Sequence, residues 1–250
     1  MIDYRFQGRL NYIPGGALNV QMSAWPAGGG IGTTDLISWW SMDETSGTRN
    51  DSHGTNHLTD NNSVLYGTGK QGNAADFELS NSEYLSVANN ATLAVGDIDF
   101  TVAFWINPET INTVQIPASK WNFGTGEREW DFRLSTTNKL GFRVSPDGSS
   151  NTIVEDTVTT VSAGSWYYVV GWHDATANTI NVQVNGGTVY SLSYSSGVYT
   201  ATSPLHFGNQ YSSGHYDGLM DEACFWKRVL TADERTWLFN SGNGRSYSEL

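Results

Sequence analysis

Three carboxylates fall at alternate positions in the segment Glu127-Arg128-Glu129-Trp130-Asp131-Phe132-Arg133-Leu134. Alternate residues of an extended chain share a face, so Glu127, Glu129 and Asp131 would stand side by side. Retaining glycoside hydrolysis uses carboxyl groups about 5 Å apart, one as nucleophile and one as acid and base. The bland reading of the same segment is a solvated outer face, because Arg128 and Arg133 flank the acids and can pair with them; we take this reading. No other catalytic grouping stands out. His53, His57, His173, His206 and His215 are scattered, and His53 and His57 are four apart where no helix is expected, so they do not make a zinc pair. There is no Gly-x-Ser-x-Gly elbow and no phosphate loop. The glycine run at 28–32 lacks a Lys-Ser/Thr ending and reads as a linker.

The elements that must carry these residues are strands. In Phe100–Ile106 the residues Phe100, Val102, Phe104 and Ile106 share one face. Trp130, Phe132 and Leu134 alternate with Glu129, Asp131 and Arg133, which makes a half-buried strand, and Leu140–Val144 continues it after a Thr-Asn turn. Trp166–Trp172 is nearly continuously apolar and should be central. Ile180–Val184 and Thr188–Leu192 flank Asn185-Gly186-Gly187, whose Asn-Gly pair suits the positive φ angles of a tight hairpin. Pro146-Asp147-Gly148 marks a second turn. One short helix follows Thr231-Ala232-Asp233-Glu234, a capping box, with Trp237 and Leu238 toward the body and Gly242 or Gly244 at its end.

Composition agrees. Abundant Trp, Tyr and Gly in 250 residues suit short strands and tight turns rather than a helical bundle, and a chain of this length can bury a large core unaided. The net charge of −12 repels phosphate backbones, so nucleic acid is excluded as a partner. An acidic body rich in Asp and Asn suits calcium, which prefers oxygen ligands. No apolar stretch is long enough to span a membrane, and the N-terminus shows no secretory signal pattern. Cys224, the single cysteine, sits in an apolar segment and reads as a buried small hydrophobe. Residues 1–34 differ from the rest: they are aromatic and apolar, carry only Asp3, Arg5 and Arg9 as charges, include an extended segment at Ala17–Met22, and end in the glycine-rich joint. They would pack back on their own domain or anchor the chain to another subunit.

The order of segments is more telling than any one of them. Leu36–Gly47 leads to Asn50–Asn56, then to Gly69–Phe77, Tyr84–Val87 and Phe100–Ile106. Trp166–Trp172, Val184-Asn185-Gly186 and Leu205–Asn209 follow, and the chain closes on Asp217-Gly218-Leu219-Met220-Asp221-Glu222-Ala223 and Arg228–Glu234. This succession resembles the concanavalin A-like, laminin-G-like family in its pentraxin-like jelly-roll form, over residues 35–245. The resemblance implies an all-β fold of two packed antiparallel sheets. It also implies calcium at one edge, a structural ion with Asp51, Asn56 and Asp221 as ligands and Asp43 as a further one. Glucanase-like members carry Glu-x-Asp-x-(x)-Glu, from which this chain departs at Arg133 and Leu134. The family binds glycans or proteins through loops at one end or a concave face. Sugars need an aromatic face and planar amides; Lys120–Phe123 and Asn209–Asp217 supply these, with Trp121, Asn122, Tyr211, His215 and Tyr216 as the ligand-binding candidates.

The expectation is therefore an antiparallel two-sheet jelly roll over 35–250 with one C-terminal helix, preceded by an arm at 1–34. Its function would be non-catalytic binding of a glycan or cell-surface polysaccharide. The arm and the cysteine-poor acidic body suit a bacteriophage virion component, a capsid decoration or fibre-like protein, held to other virion subunits or to copies of itself through residues 1–34 and exposed on the virion or extracellular surface. A purely structural capsid-stabilising protein and a glycoside hydrolase using Glu127, Glu129 and Asp131 are the alternatives.

Overall fold

The computed structural model describes residues 30–211 and 213–250; the extended segment expected at Ala17–Met22 and the rest of residues 1–29 lie outside them. The first strands are β1 (Leu36–Trp40), β2 (Thr59–Asn61), β3 (Leu65–Thr68), β4 (Asn73–Phe77) and β5 (Tyr84–Val87). The middle of the chain forms β6 (Phe100–Pro108), β7 (Ala118–Asn122), β8 (Glu127–Leu134), β9 (Leu140–Val144) and β10 (Thr152–Glu155). The last are β11 (Tyr167–Asp174), β12 (Thr179–Val184), β13 (Val189–Ser193), β14 (Leu205–Phe207) and β15 (Gly218–Trp226), followed by the helix α1 (Ala232–Phe239). All pairings are antiparallel. One sheet of eight strands runs β13-β12-β11-β6-β15-β4-β3 with β1 also on β15; the other, of seven, runs β10-β9-β8-β7-β14-β5-β2. The expected jelly roll is the observed fold.

The main core lies between the sheets. Phe100, Val102, Phe104 and Ile106 of β6 meet Trp130, Phe132 and Leu134 of β8 there, as their alternation requires. Phe104 and Phe132 make an edge-to-face contact at 4.7 Å. Gly171 of β11 has its Cα toward Phe132 and Phe142; a Cβ there would lie 2.6 Å from the Phe132 ring, so the close approach needs glycine.

A second core covers the other face of the eight-stranded sheet. Trp39, Trp105, Tyr168, Trp172, Cys224 and Trp226 form it, closed over by Leu238 and Phe239 of α1 and by Tyr247 and Leu250. This explains why β6 and β11 are apolar on both faces: β11 lies between β6 and β12 and is buried above and below. The capping box of α1 is present, with Thr231 Oγ1 accepting from Glu234 N–H at 3.2 Å and Glu234 Oε2 accepting from Thr231 N–H at 2.7 Å. The helix ends on Asn240 in the left-handed region, not on a glycine as expected, since asparagine tolerates that conformation. The hairpin at Asn185-Gly186 has φ of 52° and 63°. Gly30 abuts the carbonyls of Glu249 and Leu250, and Ile31 packs on the second core, so the described chain starts on the outer side of the eight-stranded sheet.

Candidate functional site

Glu127, Glu129 and Asp131 do not line up as an acid pair. The β7–β8 register pairs Lys120 with Trp130 and then Trp121 with Arg128, so Glu129 is a bulge residue and the alternation breaks at it. Glu129 is fully buried. Its Oε2 lies 2.5 Å from Lys120 Nζ and accepts from Ala201 N–H, and its Oε1 accepts from Val95 N–H. Burial pushes its carboxyl up, and Lys120 with the two amides opposes the shift. Asp131 keeps its outward alternation but is also buried. Arg143 pairs with it in a fork, Nε to Oδ1 at 2.9 Å and Nη2 to Oδ2, and Gln210 Nε2 donates to Oδ2 at 2.8 Å. Glu127 accepts from Thr202 N–H. The reading of this strand as a solvated face is corrected too: two of its three acids are inside, because loops 94–97 and 198–203 cover Glu129 and a cross-strand arginine covers Asp131.

The four residues expected to hold calcium serve as hydrogen-bond anchors. Asp51 Oδ1 accepts from the N–H groups of Trp39, His53 and Gly54, and Oδ2 from Asn56, all at 2.9–3.0 Å. Asn56 spends its amide on Ser38 and Thr92 and its Oδ1 on Asn90. Asp221 accepts from Lys70 and Gln71 N–H on Oδ2 and from Glu222 N–H on Oδ1. Asp43 accepts from Asn73 N–H. Asp51 accepts four backbone N–H groups and Asp221 three, which leaves few of their lone pairs for a cation. Among the described residues no three His, Cys, Asp or Glu side chains gather at metal-binding spacing. As arranged, these residues do not fit a calcium ion.

Asp221 and Glu222 mark the point where β15 changes partners, from β4 at Gly218–Met220 to β1 from Ala223 onward. Glu222 takes φ of 46°, and its Oε2 accepts from Trp39 Nε1 beneath the second core. Burial raises Asp221 to about 7. Burial and the neighbouring Asp221 raise Glu222 to about 9.

The glycan-binding candidates separate. Tyr216 is a core residue, fully buried, edge-on to Phe77 and donating to the Leu219 carbonyl at 3.0 Å. Trp121 is buried too, with the Arg143 guanidinium 4.3 Å from its ring. Neither can meet a sugar from solution, because an aromatic ring beside a loop lowers its free energy most by packing inward. Asn122 accepts from Gly124 N–H to close its own loop. His215 is half-buried, and burial lowers its pKa. Tyr211 stays half-exposed, its ring stacked on His206 at 6.1 Å.

The two loops do converge. Between them, on the outer face of the seven-stranded sheet, lies a cavity of about 320 Å³ lined by Val114, Ile116, Phe123, Arg133, Arg143, Gln210, Ser213 and Gly214. Phe123 is 65% exposed, the aromatic ring most available there. Its other face is supported by the Arg128 guanidinium at 4.0 Å. Arg133, Arg143, Gln210 and Phe123 were not singled out as ligand-binding residues from the sequence. A signal existed: the turn between Leu134 and Leu140 sets Arg143 opposite Asp131 and leaves Arg133 opposite Gly141.

Fold and site together define a two-sheet antiparallel jelly roll with an open polar and aromatic cavity on one outer sheet face. The chain belongs to the concanavalin A-like lectin/glucanases superfamily, whose laminin-G-type model matches residues 79–234. Comparison with curated proteins finds no match. Among solved structures it is similar to the binding domain of Paraclostridial Mosquitocidal Protein 1, at 17% identity and a TM-score of 0.70, over 84% of this chain and 53% of that one. Domain 4 of AbnA, a GH43 extracellular arabinanase from Geobacillus stearothermophilus solved with arabinotriose, is 17% identical with a TM-score of 0.58, over 84% and 98%. The Botulinum Neurotoxin serotype G binding domain is 14% identical with a TM-score of 0.64, over 82% and 50%. The chain spans about half the length of the two toxin binding domains.

Proposed function

We propose that the chain is a non-catalytic glycan-binding module whose site is the cavity on the outer face of the seven-stranded sheet. One observation carries this reading: exposed Phe123 stands beside the guanidinium groups of Arg133 and Arg143 and the amide of Gln210 at an open cavity, and half-exposed Tyr211 follows Gln210 in the chain. An aromatic face covers sugar C–H groups while planar polar groups pair with hydroxyls. The Gln210 amide is held by Asp131, which leaves its oxygen to accept from a hydroxyl. The similar domain of the arabinanase was solved with an oligosaccharide, which supports the reading. The burial of Glu129 and Asp131 in ion pairs supports binding over hydrolysis. Attachment to a larger assembly through residues 1–34, as a virion component or otherwise, is part of the proposal. The start of the described chain on the opposite side of the sandwich from the cavity suits it.

A glycan array with the full chain, followed by titration calorimetry of the hits, tests the site. Phe123→Ala should weaken binding about tenfold or more, as loss of a stacking ring does, while the melting curve stays unchanged. Retention of full affinity in Phe123→Ala and Tyr211→Ala together would place the site elsewhere. The bound oligosaccharide should keep its chain length on prolonged incubation.

A further inference from the structure

The cavity contains a cation that forms no ion pair among the described residues. Arg133 lines it from β8, and among the described residues its guanidinium makes no hydrogen bond or ion pair, although its Coulombic influence reaches Asp131. Its cross-strand partner is Gly141, so no side chain stands opposite it. Ile153 and Glu155 of β10 lean over Gly141 instead, and Glu155 forms no ion pair with Arg133. Arg143, two residues along the neighbouring strand on the same face, is a diagonal neighbour roughly 7–8 Å away by strand geometry. Two of its nitrogens are committed to Asp131, its plane is fixed over Trp121, and Nη1 remains. Arg133, Arg143 and Asp131 together leave a net positive site in a chain of net charge −12. Val114, Ile116 and Phe123 supply apolar surface beside the charge, against which the ring of a bound sugar can lie.

From this we infer that the cavity selects carboxylate-bearing sugars, a uronate or a sialate, with Arg133 gripping the carboxylate and Phe123 and Gln210 receiving the ring and its hydroxyls. The inference rests on the glycan-binding reading and adds the ligand class. The planar fork of arginine matches a carboxylate with two parallel N–H donors. A single free fork flanked by one further N–H suits one planar anion on a ring rather than a run of anions.

The test uses the full chain and four probes: trigalacturonate, its methyl ester, 3′-sialyllactose and lactose, with lactose 3′-sulfate as a further anion. Titration calorimetry at low salt should show at least one acid bound tenfold or more tighter than its neutral counterpart, with the preference shrinking as salt rises. Arg133→Ala should abolish the preference, and Arg133→Lys should restore only part of it. Because Arg133 makes no hydrogen bond or ion pair among the described residues, both variants should melt like the parent, which separates loss of the ligand from loss of fold. Equal affinity for acid and neutral forms overturns the inference and leaves the glycan reading standing. Binding of none of these probes while the array shows other glycans also overturns it; binding of no glycan at all removes both. A preference that survives Arg133→Ala, or tighter binding of the sulfate than of either carboxylate, overturns it as well.

Discussion

Asp51 shows how one side chain can organise a loop. Its two oxygens take four backbone N–H groups from both ends of the segment 39–56. Replacing it by alanine leaves four donors to find water or go unsatisfied, and Asp51→Ala should cost about 3 kcal/mol or more in chemical denaturation. Asp51→Asn keeps the shape but loses the charge and turns its own NH2 toward at least one of the four N–H donors, so it should also destabilise the loop. Since the carboxylate is compensated by the backbone, the melting midpoint in EDTA should equal that in calcium; a fall after chelation would show that a metal shares the site. The resemblance implied calcium ligands at Asp51 and Asp221, whereas in the fold both accept backbone N–H groups. Sequence could not say whether an Asp in a Gly-rich loop faces a cation or N–H groups, because both use the same residue types.

At the scale of elements, the switch of β15 from β4 to β1 gathers two buried acids, Asp221 and Glu222. Their folded-state values of about 7 and about 9 lie above the ordinary 3.8 and 4.5. A carboxyl raised in the folded state favours folding while protonated, so its contribution is complete below about pH 4 and is lost as pH rises through 7 to 9. Stability should therefore fall between pH 5 and pH 9, and Glu222→Gln should flatten the upper part of that decline when melting temperature is followed against pH. The helix offers a second check. Thr231→Ala removes the hydroxyl that caps α1 and should cost about 1 kcal/mol. Loss should appear first as loosening of the Trp39 and Trp226 cluster that the helix covers, read by near-ultraviolet circular dichroism.

For the whole molecule, the disposition of its two outer faces matters most. The eight-stranded sheet is sealed by α1 and the C-terminal turn, and the described chain begins beside them at Gly30. The seven-stranded sheet carries the open cavity on the other side. A protein immobilised through its N-terminus should keep its full glycan-binding capacity, whereas one immobilised through a cysteine introduced at Phe123 should lose it. Surface plasmon resonance with the two orientations reads this directly. If both orientations bind equally, the cavity is not the binding face.

Strand periodicity, turn chemistry and the capping box are local, set by neighbours a few positions apart, and the sequence by itself determined them: Phe100–Ile106, the Asn185-Gly186 hairpin and the Thr231 cap stand as read. The inward burial of Cys224, whose thiol is raised to about 12, was legible in the same way. The candidate site was legible only as two loops that should meet. Which of their aromatics would be left outside was decided by tertiary packing, since Trp121 and Tyr216 gain more from burial than from solvent, and only the space remaining exposes Phe123 and Tyr211. The fate of the acids was likewise non-local. Lys120 reaches Glu129 across a bulge, Arg143 reaches Asp131 across a register, and backbone N–H groups over a hundred residues away reach Asp221. Charge compensation depends on distances through space, which the order of residues along the chain does not contain.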